Sequence, residues 1–140
     1  MNKTDLAKIL SASGYHGLYR FIAQARNGAV AESLEDGKRL VFPSNSRITS
    51  LEDIAIYTSE GELKLANVFT QMAKVLEGKE APGSKASEKD IRALFDKAVP
   101  NYDADRFYIS HMKKVADWYN ELLKHATLEF LTDEDREKEA

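Results

Sequence analysis

Histidines and closely spaced carboxylates are the residues of this chain best suited to chemistry, and their spacing limits what they can do. The histidines are His16, His111 and His125. No two stand at the i, i+4 spacing that aims a pair of imidazoles at one metal on a helix. His111 and His125 fall on one predicted helix, about 21 Å apart at helical rise, so they cannot share an ion. Asp103-x-Asp105 could open a calcium loop, but the glycine and distal glutamate of such a loop are missing at the required offsets. These two aspartates are expected instead to satisfy turn backbone or to pair with Arg106. Tyr57, Tyr102 and Tyr108 could move protons only beside a base. The chain has no cysteine, which removes disulfides, thiolate metal sites and cysteine nucleophiles. Gly14-x-x-Gly17 lacks the lysine and following helix of a phosphate loop, and no Gly-x-Ser-x-Gly occurs. No catalytic, cofactor-binding or metal-binding residue is therefore expected, and an enzyme is expected less than a binding protein.

Aromatic enrichment points to recognition. Tyr102, Phe107, Tyr108, Trp118 and Tyr119 fall within one short segment, interleaved with Arg106, Lys113 and Lys114. Tyr, Trp and Arg dominate binding hot spots. The candidate interaction surface is accordingly Tyr102, Asp103, Arg106, Tyr108, Lys113, Trp118 and Tyr119. The same rings would also serve as the core of a short helical hairpin, which needs large side chains to bury enough area. The expected partner is a protein. The alternative is RNA or single-stranded DNA, whose bases could stack on such rings. Charge does not favour it. Residues 1–60 carry seven basic and seven acidic side chains and residues 61–140 thirteen and sixteen, so neither half has a basic excess.

These residues are positioned by elements of two kinds. Before residue 65 the chain has β-type runs: Leu18–Ala25, Ala29–Leu34, Lys38–Phe42 and Ile54–Thr58, with a short fifth at Leu63–Leu65. Asn27-Gly28 and Asp36-Gly37 mark the turns. Asn-Gly predicts a hairpin because positive φ is cheap at both residues. Thr4–Leu10 reads as one helical turn with Leu6, Ile9 and Leu10 on a face, and Ser50 as the cap of another turn. From Leu65 the apolar period becomes helical: Leu65, Val68, Phe69, Met72, Val75 and Leu76; then Ile91, Leu94, Phe95 and Ala98, capped by Ser87; then Met112 to Ala126, with Ser110 as the expected N-cap.

The fold class is thus α+β: a small SH3-like β-barrel or curled antiparallel sheet in the N-terminal part, with a helical C-terminal part. The expected units are a barrel-like domain with a packed helix at 1–78, a linker at 79–86 containing Pro82-Gly83-Ser84, a helical hairpin at 87–131 and a charged tail at 132–140. The polar N-terminus and the lack of any apolar run of about 18 residues lead to the expectation of a cytoplasmic protein without membrane contact.

Several runs resemble a known family. They are Gly17-Leu18-Tyr19-Arg20, Arg26-Asn27-Gly28, Glu32–Arg39, Ser50–Thr58, Pro100-Asn101-Tyr102-Asp103 and Trp118-Tyr119-Asn120. Together they resemble an uncharacterised family of small Bacteroidota proteins classified as a domain of unknown function, over about residues 4–125. The resemblance implies a bacterial cytoplasmic protein and brings no activity, cofactor or catalytic residue with it.

Overall fold

A computed structural model describes residues 4–130 apart from 13, 16, 84 and 85. His16, part of the expected linker and the charged tail lie outside the described residues. The N-terminal part is an antiparallel sheet of β1 (Ile9–Ala12), β2 (Tyr19–Ala25), β3 (Gly28–Ser33), β4 (Arg39–Pro43) and β5 (Ile48–Ser50), in the order β4-β3-β2-β1-β5. A separate hairpin of β6 (Ala55–Thr58) and β7 (Gly61–Lys64) leads into α1 (Leu65–Leu76), followed by α2 (Glu88–Ala98) and α3 (Ile109–His125). The architecture is α+β, and the sheet is open and curled.

The curl follows from where the apolar residues go. Phe42 on one edge strand and Ile48 on the other pack into the same small cluster, with Leu10, Ala12, Tyr19 and Ala31 between them. Phe42 is fully buried, and the rings of Tyr15 and Tyr19 meet it edge-on at 4.9 and 5.0 Å. A flat sheet could not bring both edge strands to one cluster. The second face of β1 sends Ile9 the other way, into the helical core. Strand alternation therefore separates Ile9 from Leu10, where a helical turn would have kept them together. The 3-10 turn in this segment is only Leu6–Lys8, and β1 replaces the rest of the expected helix.

The main core is continuous from Leu6, Ile9, Leu18 and Leu51 through the buried faces of all three helices. The predicted α2 face is buried in full, whereas Val75 of α1 is exposed. Ser50 caps its 3-10 turn and Ser87 caps α2, each by accepting a backbone N–H. The third helix differs from expectation. Its N-cap is Tyr108, not Ser110, and His111 Nδ1 accepts the Tyr108 N–H at 3.3 Å. An imidazole three residues into the helix thus reaches back to the N-cap backbone N–H, the part of a capping box that Glu or Gln usually plays.

The Asn27-Gly28 hairpin forms with Arg26 and Asn27 as the loop and Ala25 opposite Gly28. Asn27 does not take positive φ. The glycine is required for a different reason: a Cβ on Gly28 would stand 1.8 Å from the Phe42 carbonyl oxygen.

Two long-range ties close the molecule. Thr4 donates its backbone N–H to the Glu129 carbonyl at 2.7 Å, and its hydroxyl lies 3.0 Å from both the carbonyl and the hydroxyl oxygen of Thr127. In the second tie, Asn120 on α3 grips the segment expected as a linker: its Oδ1 accepts the Ala81 N–H at 2.7 Å and its Nδ2 donates to the Ala81 carbonyl at 3.0 Å. Ala81 is buried, so removing the amide leaves two desolvated backbone groups unpaired. Asn120→Ala is expected to cost about 2 kcal/mol and to speed amide exchange at Ala81. Exchange there as slow as in the parent would contradict the assigned grip.

Candidate functional site

The predicted interaction residues divide between two places and the core. Tyr102, Asp103, Arg106 and Tyr108 stand on the turn joining α2 to α3. That turn is stitched to the β6 hairpin: Asp103 N–H donates to the Tyr57 carbonyl at 2.8 Å, and Ser59 N–H donates to the Asn101 carbonyl at 3.0 Å. Phe107 anchors it from below, edge-on to Phe95 at 5.2 Å and to Tyr102 at 5.7 Å. Three such contacts to neighbouring elements fix the turn well enough to hold its exposed side chains in place.

Asp103 is occupied by the turn itself. Its Oδ1 accepts the Asp105 N–H at 3.0 Å, and its Oδ2 lies 3.5 Å from Arg106 Nε. Arg106 in turn lies over the Tyr57 ring, 4.7 Å from guanidinium carbon to ring centroid. Tyr57 and Tyr108 are 42% and 56% exposed, among the most exposed large apolar side chains of the described residues. Tyr102 is half-buried and donates its hydroxyl to Asp96 Oδ1 at 3.0 Å. Burial, reinforced by Asp96, holds its phenol above the ordinary range. Tyr57 and Arg106 thus hold each other at the surface, and the exposed Tyr108 nearby in the chain packs its ring on His111 at 5.3 Å between centroids.

The other predicted residues lie along α3. Adjacent helix positions point about 100° apart, so Trp118 and Tyr119 cannot share a face. Tyr119 is fully buried, donates its hydroxyl to the Lys79 carbonyl at 3.0 Å, and has its phenol pushed up by that burial. It belongs to the core and offers nothing to a surface ligand. Lys113 is half-buried. Trp118 lines a separate cleft.

That cleft, of about 860 Å³, lies between α3 and the β1–β5 ladder. Ser11 and Thr49, opposite each other in the ladder, line one side, and Lys114, Trp118 and Glu121 line the α3 side. Glu121 Oε1 accepts the Leu18 N–H at 2.9 Å, which ties the chain entering β2 to α3. Gly17, at φ +86°, lets that loop come close: a Cβ there would sit 3.1 Å from the same oxygen.

Sequence reasoning missed Tyr57 as the partner of Arg106 and missed the cleft altogether. No local signal could link Tyr57 to Arg106. The cleft had a faint one, since Lys114, Trp118, Glu121 and His125 recur at helical spacing, but such a polar stripe reads equally as solvated surface. Among the described residues no cluster of three or more His, Asp or Glu could hold a metal, and no helix is long and apolar enough to cross a membrane.

Comparison with known proteins gives a consistent picture. Residues 6–51 match the family model described as Domain of unknown function (DUF5606), and residues 54–122 match Domain of unknown function (DUF6852). No curated protein matches the chain. A solution NMR structure from Bacteroides vulgatus, a Northeast Structural Genomics Consortium target, is similar at 36% identity and a TM-score of 0.73, over 86% of this chain and 87% of that one. A likeness of that strength along nearly the whole of both chains means that this chain belongs to the same family of Bacteroidota-type proteins, built from these two domains of unknown function.

Proposed function

We propose that this protein is a non-catalytic binding module of the bacterial cytoplasm that engages other proteins. The observation that carries the reading is the surface pair of Tyr57 and Arg106, hot-spot residue types already fixed by a cation–π contact and an ion pair to Asp103, with the exposed Tyr108 two positions further along the chain. Ordering flexible side chains at an interface costs roughly 0.5–1.5 kcal/mol each, and a pair ordered in advance avoids much of that. Sheet topology supports the reading by analogy only. A five-strand meander whose last strand returns to the first resembles an SH3-like barrel left unclosed, a shape that displays binding surfaces. Nucleic acid has less support, because Arg106 follows Asp103 and Asp105 and is already paired with Asp103.

The test is a photo-crosslinking amino acid placed at Tyr108 and, as a control, at Val41, which is 53% exposed on β4. Discrete protein adducts from position 108 are expected, absent from position 41 and lost when Arg106→Ala is added. Arg106→Ala itself should cost less than about 1 kcal/mol of stability, so its effect is on binding. Identical adduct patterns from the two positions would refute the reading, and adducts removed by nuclease would transfer it to nucleic acid.

A further inference from the structure

The cleft between α3 and the β1–β5 ladder is independent of the surface pair just described, and its charges are unevenly satisfied. Among the described residues three carboxylates and three cations line it, with His125 at the end of α3. Glu121 already holds the Leu18 N–H, Lys124 pairs with Glu80 at 3.2 Å, and Asp117 has a partner of its own. Arg47, Lys114 and Glu35 remain, and none makes an ion pair among the described residues. They come from three different places in the fold: Arg47 from the residue just before β5, Lys114 from α3, and Glu35 from the β3–β4 turn.

This charge set selects a ligand class. A polyanion would meet as many carboxylates as cations among the described lining residues, so no net positive charge holds it there. An apolar ligand would strip water from Arg47, Lys114 and Glu35 without replacing it, and that penalty is large for charges. A zwitterion meets both requirements, giving a carboxylate to Arg47 and Lys114 and an ammonium to Glu35. The volume falls in the range of sites that enclose ligands larger than a single amino acid. Ser11, Thr49 and Trp118 also line the cleft, two hydroxyl side chains and an indole of the kind that bind a peptide backbone and small side chains. We infer that this cleft binds a short oligopeptide with free ends, its C-terminal carboxylate held by Arg47 and Lys114 and its N-terminal ammonium by Glu35.

Trp118 is the chain's single tryptophan, so indole fluorescence reports on the cleft alone. The probes are tetra-alanine with free termini, its N-acetyl form, its C-terminal amide, and AMP as a rigid anion. Titration of the full-length protein is expected to give a saturable change with free tetra-alanine. The amide should bind at least about tenfold more weakly, as should the free peptide to Arg47→Ala or Lys114→Ala, since each loses a charge-assisted hydrogen bond. Arg47 and Lys114 are exposed, so these variants keep the fold, and a thermal melt verifies it. Acetylation should weaken binding less, there being one carboxylate against two cations. N-acetyl tetra-alanine binding as tightly as the free form would overturn the free-oligopeptide assignment in favour of the C-terminus of a protein chain. AMP binding more tightly than the peptide, affinity unchanged in both charge variants, or no saturation by about 1 mM would each overturn the site as proposed.

Discussion

Gly28→Ala is expected to destabilise the protein by about 3 kcal/mol and to lower its melting temperature by about 10 °C. A methyl group at this position would meet the Phe42 carbonyl oxygen at 1.8 Å, the Phe42 carbonyl carbon at 2.8 Å and the Pro43 carbonyl carbon at 3.1 Å. All three are backbone atoms, so no side chain can rotate out of the way. The strands must separate, which weakens the pairing of Gly28 with Pro43 and of Ala29 with Phe42. It also disturbs the hydrogen bond from Ser44 N–H to the Asn27 carbonyl, 2.8 Å long, beside the turn. Phe42 moves with its strand and leaves the edge-on contacts with Tyr15 and Tyr19 that fill the small cluster. Urea denaturation of parent and variant measures the cost. A difference below about 0.5 kcal/mol, the usual scale of a harmless surface change, would mean the close approach is not present.

Phe107→Ala is expected to cost about 3–5 kcal/mol. The ring is 4% exposed and sits between Phe95 and Tyr102, edge-on to both. Truncation leaves a hole under the α2–α3 turn and removes two aromatic contacts, each worth roughly 0.5–1.5 kcal/mol beyond its buried area. Phe107→Leu keeps most of the volume and should cost less than about 1.5 kcal/mol. The two variants separate packing from surface chemistry. Both leave Tyr57, Arg106 and Tyr108 in the sequence, but only the alanine variant removes the floor that positions Arg106. Denaturation gives the stability, and crosslinking from position 108 gives the surface. Equal stability losses for alanine and leucine would show that the cavity is not the cause.

The contrast between Gly28 and Phe107 shows how far the sequence was legible. Asn27-Gly28 located the hairpin correctly, yet the turn geometry usually associated with that pair is not what makes the glycine necessary. The reason is a neighbouring strand, and a turn motif contains no information about it. The three helices were readable because each buried stripe repeats within its own segment. β1 was not, since Leu6, Ile9 and Leu10 fit a helical face as well as an alternating one until the two cores of the folded chain divide them. β5 has three residues and owes its existence to pairing with β1. The site followed the same rule. Asp103 and Arg106 are near neighbours in sequence and their pairing was foreseen. Tyr57 under Arg106, and the wall that Ser11 and Thr49 set opposite Trp118, arise only when distant segments meet.

The tie between Thr4 and residues 127–129 has a consequence for biosynthesis. The hydroxyl of Thr4 and its Thr127 acceptor are separated by 123 positions. At roughly 5–20 residues per second on the ribosome, that separation takes about 6 to 25 s to translate. Hairpins form in roughly microseconds, so the β2–β4 meander can assemble almost as soon as it emerges. Leu6, Ile9 and Leu18 cannot be covered by α3 until that helix has been made. The nascent chain therefore carries a half-finished sheet with an uncovered apolar face for most of its synthesis. That interval, more than the finished fold, is when the apolar surface of this chain is open to aggregation.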